Sequence, residues 1–279
     1  GGILEVIVSP IVEACPGTNK AARMSMLHSF YCWGHMAVVL LSTLYFTLAG
    51  IENWRLLPPL WALVPLFTLF AFTKVPIYAI PGDDEETRLP KSIFRIKVFW
   101  ILFFVMICAG ASEQGVSQWS SMFAEDGLKV SKTVGDLLGP CSFAFFMGLS
   151  RFLYGMKGEN LKLIPSLKAT SLLCILGYLV TSLSPIPLLS LAGCAICGFS
   201  VGLMWPGTFS LGAAYLRGGG TFMYAMFALA GDIGCSAGPG VVGIISQFTG
   251  KMNLGILTAI LFPLGMLILV SLLKHQKPA

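Results

Sequence analysis

Charge is what this sequence has least of. Asp, Glu, Lys and Arg make up only 11% of its 279 residues. A soluble domain of this length needs a charged surface, so that class is excluded. Short alternating apolar and polar segments are absent, which excludes a transmembrane β-barrel. Enzyme signatures are absent as well: there is no phosphate-binding loop, no nucleophile elbow and no His-Glu-x-x-His. The chain is therefore expected not to be an enzyme, and to hold no cofactor and no metal. Cysteine is not scarce, at eight, but each one falls in or at the end of an apolar run. Cys194-Ala-Ile-Cys197 lacks the polar and His neighbours of a metal or redox site, and reads as small packing residues.

What the sequence has in abundance is hydrophobic length. It is 56% hydrophobic, and its mean hydropathy is +0.81. After an opening stretch, eight apolar runs lie at about 24–49, 56–80, 94–122, 134–155, 163–184, 187–216, 221–249 and 252–273. Each is near or above the ~20 residues that a membrane-spanning helix needs. The fold class is all-α, a polytopic membrane helical bundle, because backbone polar groups in lipid must be paired within each span. Pro81-Gly-Asp-Asp-Glu-Glu-Thr-Arg-Leu-Pro-Lys-Ser92 is polar and Pro-flanked, and it reads as a linker. Residues 1–80 then end one bundle, 81–93 connect, and 94–279 form a second bundle of six spans.

Lys and Arg set the expected orientation. With the end of the opening helix facing the cytoplasm, Arg55, Lys129, Lys132 and Lys251 fall outside, and the other 14 of the 18 basic residues fall inside. The net charge of +5 thus serves topology and does not call for a nucleic-acid partner. The same count puts the C-terminus in the cytoplasm.

The opening stretch, Gly1 to Pro16, is apolar but carries Glu5. In a helix Glu5 lies about 16 Å from the Pro16 end at ~1.5 Å per residue, close to half a bilayer core. Fifteen residues are too few to span, so the sequence is expected to be part of a longer chain. Gly2-x7-Pro10 recurs as Gly198-x7-Pro206, each followed by a basic residue (Arg23, Arg217) and a span with a mid-helix glycine (Gly34, Gly231). Such an echo fits two related halves.

These residues resemble the major facilitator superfamily, transporters with two six-span halves. Six spans follow the linker here, so the resemblance implies that three precede the sequence. Gly148-Leu-Ser-Arg151-Phe-Leu-Tyr-Gly155-Met-Lys157 resembles the superfamily's loop motif, with Ser150 where Asp is usual. Leu4-Glu5-Val-Ile-Val-Ser-Pro10 and Pro206-Gly-Thr-Phe-Ser-Leu-Gly212 resemble the fourth and tenth spans of the fucose–proton symporter branch. That resemblance implies that Glu5 is the proton site. It also implies a monomer in a bacterial cytoplasmic membrane, working on a small-molecule solute and protons. Tyr31 departs from the branch, which has an Asn in the sugar and proton site there.

Several polar residues fall at one depth. Glu5, His35, Trp205 and Asp232 each lie about 16–18 Å from their inner helix ends at ~1.5 Å per residue, near the midplane where transporter sites lie. A carboxylate is costly there in its charged form, which suits Glu5 to carrying a proton. Asp232 is either a second proton or solute residue or a tie between helices. Its neighbours Gly234 and Gly238 allow close helix contact, and Pro239 kinks the run. Glu13, near the inner boundary, is expected to pair with a loop Arg or Lys. His28, Tyr31 and His35 share a helix face, as do Gln114 and Gln118, and Glu113 with Ser117. Amides and indoles suit a sugar's hydroxyls and apolar ring face, so Tyr31, His35, Glu113, Gln114, Gln118, Trp119 and Trp205 are the candidate solute residues. Trp119 reads equally well as an outer-interface aromatic.

The functional reading is a secondary active transporter of a small polar solute, a sugar, by proton symport with alternating access. Two alternatives stay open: a proton-antiport exporter of apolar compounds, and a non-transporting membrane receptor.

Overall fold

The computed structural model describes residues 2–75, 93–157, 162–216 and 219–273, without the side chains of 2–5 and 157. The expected linker lies outside them but for its last residue. A short helix, α1 (Gly2–Ala14), comes first. Eight stretches among the described residues are long and apolar enough to cross a membrane, and each lies on one of the eight apolar runs. They are α2 (Lys20–Ala49), α3 (Leu57–Phe72, with the turn before it), α4 (Lys97–Ser117) continued by α5 (Ser120–Met122), α6 (Lys132–Asp136) continued by α7 (Ser142–Lys157), α8 (Leu163–Leu183), α9 (Pro187–Val201) with α10 (Met204–Tyr215), α11 (Gly220–Thr249), and α12 (Met252–Thr258) with α13 (Leu261–Leu273).

Local chemistry sets the ends. Asn19 precedes α2 with φ 61°, and its side chain accepts the Ala22 N–H at 3.4 Å. Gly50 (φ 80°) and Gly250 (φ 66°) close α2 and α11, where a side chain would strain the backbone. Lys20 reaches back to Glu13 at 3.5 Å.

Small residues decide which helices touch. α4 and α11 pack along most of their length. A Cβ on Gly234 would lie 2.1 Å from the Ile107 carbonyl oxygen, and one on Gly238 would lie 2.4 Å from that of Ala111. Only hydrogen lets these backbones meet, the small-residue packing that membrane helices use in place of a hydrophobic drive. α13 covers another side of α4, α8 pairs with α9, and α2 runs along α7. Cys174, Cys194 and Cys197 are fully buried at the seam of α8 and α9. α3 buries none of its residues.

The span of α9 and α10 is broken at Gly202 and Leu203. Pro206 has no N–H, so it cannot close a helical bond onto the Gly202 carbonyl four residues back. The sequence reading that no nucleophile elbow is present is corrected in letters only: Gly198-Phe-Ser200-Val-Gly202, which runs into the break, spells one. Ser200 is fully buried in the last turn of α9 and donates to the Cys197 carbonyl at 2.7 Å, so it is no nucleophile.

Candidate solute-binding site

The free carbonyl at the broken helix has a partner. Arg151 Nε donates to Gly202 O at 2.9 Å. The same guanidinium donates through one Nη to His28 O at 2.9 Å and to Cys32 Sγ at 3.3 Å. Through the other Nη it meets Glu113 Oε2 at 3.0 Å. One side chain thus ties α7 to α2, α4 and the α9–α10 break. Arg151 is 2% exposed and Glu113 5%, and the guanidinium carbon lies 5.9 Å from the Tyr31 ring centroid. A buried ion pair is tolerable only when further hydrogen bonds satisfy it, and here backbone carbonyls do so.

The sequence reading puts Arg151 in a loop motif at the inner end of its run; the structure corrects this, placing it inside α7. α7 continues past it to Lys157, and Gly148 and Gly155 serve helix contact. A Cβ on Gly148 would lie 3.0 Å from Cys32 Cβ, and one on Gly155 would lie 3.1 Å from Met26 Cε, both on α2. Ser25 of α2 also donates to the Arg151 carbonyl at 2.9 Å. Arg151 leaves the count of inner basic residues, which then stands at 13 against 4.

Above the ion pair lies a cavity of about 540 Å³, within the range of small-molecule sites. It is lined by Val8 and Ser9 of α1, Leu27, His28 and Tyr31 of α2, Glu113 and Gln114 of α4, Arg151, Trp205 of α10, and Asp232 and Cys235 of α11. Gln114 Nε2 donates to the Tyr31 hydroxyl at 3.4 Å. His28 stands 3.4 Å from Ser9 Oγ and stacks on Phe209 at 5.7 Å. The Trp205 ring packs where a Cβ on Gly231 would lie 2.1 Å away. Its indole N–H is buried with no partner among the described residues.

The structure brings together Tyr31, Glu113, Gln114, Trp205 and Asp232 of the sequence candidates. Glu113 arrives ion-paired to Arg151. His35, Gln118 and Trp119 do not line this cavity. His35 sits one turn beyond Tyr31, its ring 6.1 Å away. Gln118 caps α4, its N–H still bonded to the Gln114 carbonyl at 3.2 Å, but its side chain is exposed and is not part of the cavity lining. Trp119 turns to α11, where its indole donates to the Pro239 carbonyl at 3.0 Å and covers Gly243. Glu5 lies in α1, and its side chain is outside the described residues. Sequence reasoning missed Arg151 as a site residue. The available signal was an Arg and a Glu of opposite sign, each alone inside an apolar run.

Spans gathered around an internal, partly polar cavity define an integral membrane transporter, not an enzyme. The chain belongs to the Major Facilitator Superfamily, whose sequence family matches residues 1–239. A crystal structure of the E. coli fucose:proton symporter FucP is similar in fold, with a TM-score of 0.76 at 16% identity, covering 98% of this chain and 74% of that one. A structure of FucP in the outward conformation gives 0.75 at 14% identity, covering 98% and 73%. No curated protein matches the sequence.

Proposed function

We propose that this transporter takes up a small polar solute, a sugar, by proton symport with alternating access. The observation that carries the proposal is the mixed lining of the cavity. An indole face, an amide, a phenol and a carboxylate–guanidinium pair are together there, and such a set suits hydroxyls and an apolar ring face in one ligand. The fold shared with a fucose:proton symporter supports the same reading. Glu5 is the proton carrier in it, with Asp232, which lines the cavity, as the second candidate. The protein works as a monomer in a bacterial cytoplasmic membrane, its C-terminus inside, with the first bundle ending before the 81–93 linker and the second formed by 94–279.

The test is Glu5→Gln in the full chain in proteoliposomes. An imposed pH difference should no longer accumulate sugar, while sugar exchange across the membrane persists. Accumulation that survives the substitution transfers the proton role to Asp232.

A further inference from the structure

Arg151 brings a full positive charge to the cavity wall, yet that charge is already matched there. A guanidinium has five N–H donors in one plane. The contacts to Gly202 O, His28 O, Cys32 Sγ and Glu113 Oε2 engage four of them. One Nη hydrogen is left beside Glu113, which the described bonds engage through Oε2 alone. A spare donor and a spare acceptor thus stand side by side on residues that line the cavity. A hydroxyl fits such a pair, because it accepts from one and donates to the other. Trp205 lines the same cavity, and its buried indole N–H also lacks a partner.

We propose that the Glu113–Arg151 pair is the charge filter of the solute site, admitting an uncharged sugar and refusing the matching sugar acid. The proposal rests on the sugar reading of the cavity. Its physical basis is the balance of the lining. Arg151 is neutralised by Glu113, and Asp232 adds a further carboxylate. An entering carboxylate meets that negative excess. To reach Arg151 it must displace Glu113 and leave a buried charge unpaired, which is strongly unfavourable. Glu113→Gln inverts the arrangement. Arg151 then presents an unmatched planar fork, the geometry that binds carboxylates in pairs of hydrogen bonds.

The experiment measures binding to the purified full chain by ligand-induced thermal stabilisation. The probes are D-galactose, D-glucose and D-mannose, each as the neutral sugar and as its uronate. The wild type should bind a neutral sugar at least about tenfold more tightly than its uronate, the discrimination expected when a charge is left unpaired. Glu113→Gln should erase or reverse that ratio, while Glu113→Asp, which keeps the charge, should preserve it. If Glu113→Gln does not fold, the doubly neutral Arg151→Gln/Glu113→Gln variant should bind uronates no better than the wild type does. Wild-type binding of uronate equal to that of the sugar overturns the proposal. So does a Glu113→Gln protein with unchanged preference, or uronate binding gained by the doubly neutral variant. If no sugar or uronate stabilises any of these proteins, the sugar reading itself falls.

Discussion

Replacing Arg151 by Met tests the weight carried by one buried guanidinium. Methionine keeps an unbranched stem, though a shorter one, and removes every polar contact of the side chain. Glu113, 5% exposed, is left as a buried carboxylate without its cation, at a cost of about 3–5 kcal/mol. Gly202 O loses its donor, and Pro206 cannot replace it, which adds about 1–3 kcal/mol. The single variant should therefore lose at least about 4 kcal/mol, a large share of the 5–15 kcal/mol by which folded domains are typically stable. Adding Glu113→Gln removes the orphaned charge and leaves mainly the carbonyl. The double variant should be more stable than Arg151→Met alone, with a coupling of about 2–3 kcal/mol. Chemical unfolding of the four proteins in one detergent gives the cycle. If the two substitutions simply add, the ion pair is not what holds these helices, and the argument built on it fails.

Trp205→Ala should weaken sugar binding by about 1–3 kcal/mol in a titration, and Trp205→Phe, which keeps an aromatic face but loses the N–H and the five-membered ring, by about 0.5–1.5 kcal/mol. Gln118→Ala should leave the same titration within about twofold, since Gln118 is exposed beyond the end of α4; a larger loss would mean that the site extends past Ser117. Gly234→Val should prevent assembly of α11 on α4, read as loss of the folded protein in detergent gel filtration, because its Cβ meets a carbonyl oxygen at 2.1 Å. Gly34→Ala, with nothing within 4 Å of its Cβ, should be neutral or stabilise by about 0.5–1 kcal/mol, measured as the shift in melting temperature.

Hydropathy alone located the eight spans, because a lipid-facing helix must satisfy its backbone internally and shed charge from its sides. The glycines at 234 and 238 and the prolines at 206 and 239 were legible for the same reason: they act through the backbone of their own helix. Tyr31, Gln114, Trp205 and Asp232 could be nominated because polar groups in apolar runs seldom face lipid. Their company could not. Depth along a helix is a one-dimensional quantity, and it placed His35 and Trp205 together although only Trp205 faces the cavity. Trp119 read equally well as a solute residue or an interface aromatic, and its partner turned out to be a carbonyl of α11, which is 120 residues away. Arg151 read as part of a loop motif, four positions before Gly155 at the inner end of its run. Only the tertiary structure shows that a proline in another span frees Gly202 O for it and that Glu113 from a third span neutralises it. The sequence by itself determined which segments enter the membrane, since that depends on each segment's own transfer free energy. Which charge meets which was decided by the rotation and tilt of packed helices, because these follow from side-chain fit between segments far apart in the chain.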